Sequence, residues 1–289
     1  MRSAGVSYPK VMGTLVLALG LLGGSRADAG SLWLGNDGGG TTFHVDTTGA
    51  VLGSLPGVPS TGLAFDGSTL YLSNFPGGIT ERTADGTVIL DSFFIAHEAG
   101  VCCGEDLAWD TSRDRLWRID HSNPGAGIPS KLRRIDPVTN LLETSFDLPL
   151  VVGDFANMGG LGLAYDPIRD LLYASFCHAG CATLLEGIVI AVDPDTGGMV
   201  GPPLFTTSGF ATGGLGYDPA TDTLWVGDNT VVRNMELDGT VLSSFARPGP
   251  GGFVDGLEFI APEPGSLILF GSGLLTFGLF DRRRRKHRA

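Results

Sequence analysis

Between Gly30 and Pro264 this 289-residue chain is poor in positive charge. Nine of its 19 basic residues sit at the two ends: Arg2, Lys10 and Arg26 at the start, and Arg282, Arg283, Arg284, Arg285, Lys286 and Arg288 at the finish. Ten remain for the long middle against 29 of the 31 acids, a net charge of −19. Such a surface repels phosphate backbones and excludes nucleic acid as a partner. Two hydrolase signatures are also missing. There is no Gly-x-Ser-x-Gly elbow to expose a serine nucleophile and no His-Glu-x-x-His helix to hold zinc. Cysteine is scarce, with four in all.

Long apolar runs are confined to the ends. "MRSAGVSYPK" is positive, "VMGTLVLALGLLGG" is apolar, and "ADA" closes at Ala29. That order predicts a secretory signal peptide over 1–29, removed by signal peptidase; the other reading is an uncleaved anchor, for which the run is short. At the other end Pro262, Glu263 and Pro264 precede 16 uncharged residues, Gly265 to Phe280, then Asp281 and the basic tail. The apolar stretch predicts a membrane-spanning helix near the lower length limit, with the arginines held on the cytoplasmic side. This triplet, apolar segment and Arg-rich terminus resemble the PEP-CTERM sorting signal of Gram-negative bacteria. The resemblance covers 262–289 and implies recognition by the membrane protease-transpeptidase exosortase. It implies an inner-membrane intermediate and then delivery to the cell surface or extracellular matrix. A plain anchor with stop-transfer charges is the alternative.

The body, 30–261, is built on a repeat. Gly62 opens "GLAFD", Asp106 "DLAWD", Gly162 "GLAYD", Gly214 "GLGYD" and Gly256 "GLEFI", at separations of 44, 56, 52 and 42 residues. The first four are followed by "TLYLSN", "RLWRID", "LLYASF" and "TLWVGD", then by two more strand-like stretches split by turn formers such as Asp85-Gly86 and Asp238-Gly239. For the third unit those two strands are expected within "GIVIAVDPDTGGMVGPP". Each unit reads as a four-stranded antiparallel meander of about 45 residues, the length of a propeller blade. The fifth unit stops after "GLEFI", and its missing strands match "SLWLGN" at 31–36 and "TTFHVDTTGAVLGSL" at 41–55. The expected fold is therefore all-β: a five-bladed β-propeller closed by its N-terminal strands. The repeats loosely resemble NHL, YVTN and other bacterial propeller repeats. Phe65, Trp109, Tyr165, Tyr217 and Phe259 recur at one position and Tyr71, Trp117, Tyr173, Trp225 and Trp33 at another; both sets are expected to pack between blades.

In such a ring the loops before strand one and after strand two share a face. They bring Asn36, Asn74, Glu105, Asp106, Asp120, Asp228 and Asp255 toward one mouth of the channel. Converging oxygen ligands suit Ca²⁺, and lactonase-type propellers, which this arrangement resembles in kind, hold a divalent metal with such residues. Asp and Asn also end strands simply by bonding their own turns. Cys102, Cys103, Cys177 and Cys181 fall in loops of the same face on neighbouring blades. An even number in an exported chain favours disulfides, with three pairings open; a Zn²⁺ site with His97, His121 and His178 is the rival.

Two function classes follow. One is a surface or matrix binding module for polysaccharide, protein or cation. The other is a metal-dependent extracellular hydrolase or lactonase at the channel mouth. The missing nucleophile motifs favour the first, and fold alone does not choose.

Overall fold

The computed structural model describes residues 30–36, 40–98, 104–121, 128–148, 158–178, 186–249 and 252–261. The expected signal peptide at 1–29 and the sorting tail at 262–289 lie outside the described residues, as do Cys102, Cys103 and Cys181. Among the described residues no helix is long and apolar enough to cross a membrane.

The chain forms five four-stranded antiparallel sheets, the blades of a propeller. Blade 1 is β4 (Gly62–Phe65), β5 (Thr69–Asn74), β6 (Gly78–Thr83) and β7 (Ile89–Phe94). Blade 2 is β8 (Gly104–Asp110), β9 (Arg115–Asp120), β10 (Lys131–Asp136) and β11 (Leu141–Asp147). Blade 3 is β12 (Met158–Asp166), β13 (Leu171–His178), β14 (Glu186–Val192) and β15 (Phe205–Ser208). Blade 4 is β16 (Leu215–Asp218), β17 (Thr223–Gly227), β18 (Val231–Glu236) and β19 (Val241–Ala246). Blade 5 combines β20 (Leu257–Ile260) with β1 (Ser31–Leu34), β2 (Thr41–Asp46) and β3 (Val51–Pro56).

That last blade is the expected closure. β1 runs antiparallel to β20 with Ser31 opposite Ile260 and Leu34 opposite Leu257, and Gly35 N–H donates to Gly256 O at 2.8 Å. Joining the two ends of the chain inside one sheet leaves no unpaired inner strand.

Burial falls from the axis outward, which explains the sequence pattern. Inner strands are covered on both faces by neighbouring blades and read as near-continuous apolar runs, as in β17. Outermost strands are open to solvent, and Ile89, Leu141 and Val241 are exposed there. The aromatic side chains of strand two, Tyr71, Trp117, Tyr173, Trp225 and Trp33, are buried between blades. A buried indole or phenol needs a partner for its polar atom. Trp117 Nε1 donates to Asp110 at 3.1 Å, Tyr173 Oη to Asp166 at 2.7 Å and Tyr71 Oη to Asp66 at 3.2 Å. In blades 1, 2 and 3 the repeat's Asp thus locks the strand-two aromatic of its own blade, whereas in blade 4 Trp225 Nε1 has no hydrogen-bond partner although Asp218 is present. Blade 5 has Ile260 at that position, and Trp33 Nε1 has no hydrogen-bond partner.

One strand departs from expectation. The outer strand of blade 3 is Phe205–Ser208, later than the stretch read for it, with only a single bridge between Val192 and Met199 before it. Pro202 and Pro203 interrupt the ladder because proline has no N–H to give.

Candidate functional site

The first residue of each repeat sits on the propeller axis. Four of the five are glycine, and the packing shows why. A Cβ on Gly62 would lie 2.6 Å from Asp106 Cα, and one on Gly256 would lie 2.5 Å from Gly62 Cα. The inner strands touch one another there, so only one side chain fits in the middle.

That side chain is Asp106. Its Oδ1 accepts the amides of Leu63 (3.1 Å) and Leu107 (2.9 Å), and its Oδ2 those of Leu163 and Leu215, both at 3.1 Å. One carboxylate therefore ties the inner strands of blades 1, 2, 3 and 4. It is fully buried. Burial pushes the carboxyl well above its usual range, and the four amide bonds pull against that shift.

Below it on the axis is a second acid. Glu258 of β20 occupies the repeat position held elsewhere by Ala64, Ala108, Ala164 and Gly216. Glu258 is partly buried and lines a surface cup. Burial raises the carboxyl well above its ordinary value, the charge of Asp106 raises it further, and a backbone bond from Phe65 opposes both.

The cup is a cavity of about 260 Å³ at the end of the axis where strand one finishes, lined by Phe65, Trp109, Tyr165, Tyr217, Phe259 and Glu258, with Asp66, Pro167 and Pro219 among its other walls. One aromatic ring comes from every blade. Each also packs between blades, as expected, but Phe65 and Trp109 are only half-buried. Around the rim, guanidinium groups staple the blades. Arg113 reaches Asp110 at 2.9 Å, Asp170 at 2.7 Å and Asp195 at 3.0 Å; Arg169 reaches Asp166 at 2.8 Å and Asp222 at 2.6 Å. The Tyr165 and Tyr217 hydroxyls donate to Asp170 and Asp222, each at 2.8 Å. The Arg113 bonds hold the Asp170 carboxyl down at about 2.

The opposite mouth, where ligands were expected, has its polar groups bound into the fold. Asp120 is fully buried and accepts Arg118 Nε at 2.6 Å and Arg133 Nη1 at 3.0 Å, with His97 Nδ1 at 3.4 Å. Burial pushes this carboxyl up, but the His97 bond and the two guanidinium charges outweigh it and leave it below its ordinary value. Arg118 also donates to Ile95 O at 3.2 Å, which ties blade 2 to blade 1. Asp228 caps its own turn through Thr230 N (2.6 Å) and Val231 N (2.7 Å) and pairs with Arg233. The Asn74 side chain packs against Gly78. Asn36, Glu105 and Asp255 are buried, and the Asp255 charge acts on Arg247. Among the described residues no three His, Cys, Asp or Glu side chains gather as a metal-binding group. Cys177 is buried and disulfide-bonded, and a sulfur so bonded offers no thiolate to Zn²⁺. His121 Nδ1 lies 3.2 Å from Gly160 O.

Sequence reasoning passed over Glu258. The signal lay in the repeat alignment: a glutamate where the four other blades have Ala or Gly.

The C-terminal residues 261–284 match the PEP-CTERM protein-sorting motif. The chain is thus an exosortase-processed, exported protein, sorted through the membrane to the cell surface. A search of curated proteins found no match. Among solved structures, a chain of the nidogen/laminin complex is 14% identical and superposes with a TM-score of 0.53, covering 81% of this chain and 100% of that one. A gluconolactonase from Xanthomonas campestris is 20% identical over 77% of this chain and 78% of its own, with a TM-score of 0.47. A glutaminyl cyclase from Myxococcus xanthus is 15% identical over 69% of each chain, with a TM-score of 0.44. The first likeness speaks to the fold alone, and no chemistry is transferred from the other two.

Proposed function

We propose that the chain is a surface or matrix binding module that engages its ligand through the axial cup. Residues 1–29 act as the signal peptide, 30–261 as the propeller, and 262–289 as the sorting segment. In this reading Pro262, Glu263 and Pro264 direct processing, and the basic tail from Arg282 to Arg288 holds the precursor in the inner membrane of a Gram-negative envelope. The observation that carries the binding reading is the cup itself: a walled cavity with one ring from each blade and an acid at its base. Apolar walls with a few convergent polar groups are the usual form of a ligand site. A hydrolase at the opposite mouth draws no comparable support, because Asp120 and Asp228 are already paired with arginines.

The test is sedimentation of the purified chain with extracellular matrix isolated from the native host. Wild-type protein should co-sediment and Phe65→Ala should not, with both showing the same circular dichroism. Equal retention of the two would place binding elsewhere on the ring. Turnover of lactone substrates that survives loss of the cup would favour the enzyme reading instead.

A further inference from the structure

The cup's chemistry narrows the kind of ligand, on the premise that it is the binding site. Glu258 is its only deeply placed charge. The influences on that carboxyl are burial, the negative charge of Asp106 and one backbone bond; no cation is among them. The nearby guanidinium groups are committed. Arg113 serves three carboxylates and Arg169 two. A carboxylate left in such a site calls for a positive partner. Anions are repelled by Glu258, Asp66 and Asp106. A neutral apolar guest would leave the acid unpaired. A sugar would find few polar partners, since the walls are mainly ring and proline carbon. Aromatic rings attract organic cations through their electron-rich faces. The cavity of about 260 Å³ falls below the ~300 Å³ lower end of ordinary small-molecule sites, so it suits a single head group rather than a whole large ligand.

We infer that the cup binds an organic cation, an alkylammonium group, with Glu258 as its counter-ion and Phe65, Trp109 and Tyr217 among the rings around it. Cation binding requires the carboxylate form of Glu258. The other titratable groups around it are Asp66 from the β4–β5 turn, Asp106 from β8, and Tyr165 and Tyr217, whose hydroxyls are held by Asp170 and Asp222, while β1 offers the uncharged Trp33 directly opposite. Burial and Asp106 raise the Glu258 carboxyl, so the empty cup holds a proton more firmly than a free glutamate does. A cation must displace that proton. Affinity therefore rises as pH increases through the raised value.

The experiment is calorimetric titration of the full-length chain, in a neutral polyoxyethylene detergent, with tetramethylammonium chloride. Sodium chloride and tert-butanol serve as a plain cation and a neutral molecule of similar shape. The expected result is saturable binding of tetramethylammonium alone, strengthening from acid to neutral pH. Glu258→Gln should weaken it by about tenfold or more and abolish the pH dependence. Phe65→Leu, which keeps the charge and removes one half-buried ring, should weaken binding while preserving the pH dependence. No saturable binding by wild-type protein overturns the inference, as does an equal response to tert-butanol or unchanged affinity in Glu258→Gln. If the cup variants lose matrix binding but tetramethylammonium does not bind, the cation inference falls and the binding module stands. If matrix binding ignores the cup while tetramethylammonium binds there, the module reading falls and the site remains.

Discussion

Asp106 and Glu258 lie on one axis, and the charge of the first raises the proton affinity of the second. Each is the single large residue at a repeat position that the other four blades keep as Gly or Ala. Yet their surroundings differ. Asp106 has four amide donors, whereas Glu258 has one backbone bond and an opening to the cup. The first is built as a structural tie and the second is not.

Reverting each to its repeat consensus should therefore have opposite effects. Asp106→Gly leaves four buried amides without an acceptor and should destabilise by about 3 kcal/mol or more, given a typical penalty of about 1–3 kcal/mol per buried unsatisfied group. Glu258→Ala removes a carboxyl disfavoured by burial and by the Asp106 charge and should be neutral or stabilising. Urea unfolding of both variants provides the comparison, and a costly Glu258→Ala would assign that residue a structural role.

Stability should also respond to pH from two sides. The Glu258 carboxyl is raised from its ordinary 4.5 in the folded chain. Its contribution is thus fully present below 4.5 and declines as pH rises through the raised value. Asp170 is depressed from 3.8 to about 2, so its contribution is present above 3.8 and fades as pH falls toward 2. Thermal unfolding across pH should show both losses. Glu258→Gln should reduce the loss on the alkaline side, to which the raised Asp106 carboxyl also contributes, and leave the acid side unchanged.

Ring closure supports the whole fold. Deleting 30–55 removes β1, β2 and all of β3 but Pro56 and strips β20 of its partner, so the product should aggregate through the open edge. Deleting 265–289 removes no blade strand and should leave the propeller folded. Light scattering and circular dichroism of the two truncations distinguish these outcomes; a soluble, native-like 30–55 deletion would contradict the closure.

Processing predicts a mass. Protein recovered from the native surface should lack 1–29 and most of the segment after Pro264. Intact-mass spectrometry reads this directly, and persistence of the arginines from Arg282 onward would favour a plain anchor over exosortase processing.

The exported chain should carry no free thiol. Cys177 is disulfide-bonded, and its partner is expected among Cys102, Cys103 and Cys181. Labelling under denaturing, non-reducing conditions should find none of the four reactive, and peptide mapping should assign the pairs. Four labelled thiols would return the cysteines to metal or redox roles.

The strands, their order and the closing of the ring were legible because they depend on local chemistry. The repeated strand openings, Asp-Gly turns and the recurring Leu-aromatic pairs act within one blade, and "SLWLGN" carries the same pattern as the strands it joins. The outer strand of blade 3 was misplaced for a local reason too: Pro202 and Pro203 displace the ladder to Phe205. At the mouth, the repeat alignment shows Asp120 and Asp228 at the end of strand two but not their partners: Arg118, Arg133 and Arg233 lie on strands two and three, and the alignment does not connect their side chains to these acids.

By itself, then, the sequence determined an exported, acidic, five-bladed ring with a sorting segment at its end, since patterning and terminal signals are written in consecutive residues. Only the tertiary structure decided what meets on the axis. Asp106 and Glu258 are 152 positions apart in the chain, and the rings of Phe65, Trp109, Tyr165, Tyr217 and Phe259 come from five separate blades. Their convergence depends on the number of blades and on inner strands packed too closely for any Cβ at Gly62 or Gly256. That contact leaves room for one plugging carboxylate, and it leaves the second acid facing a cup.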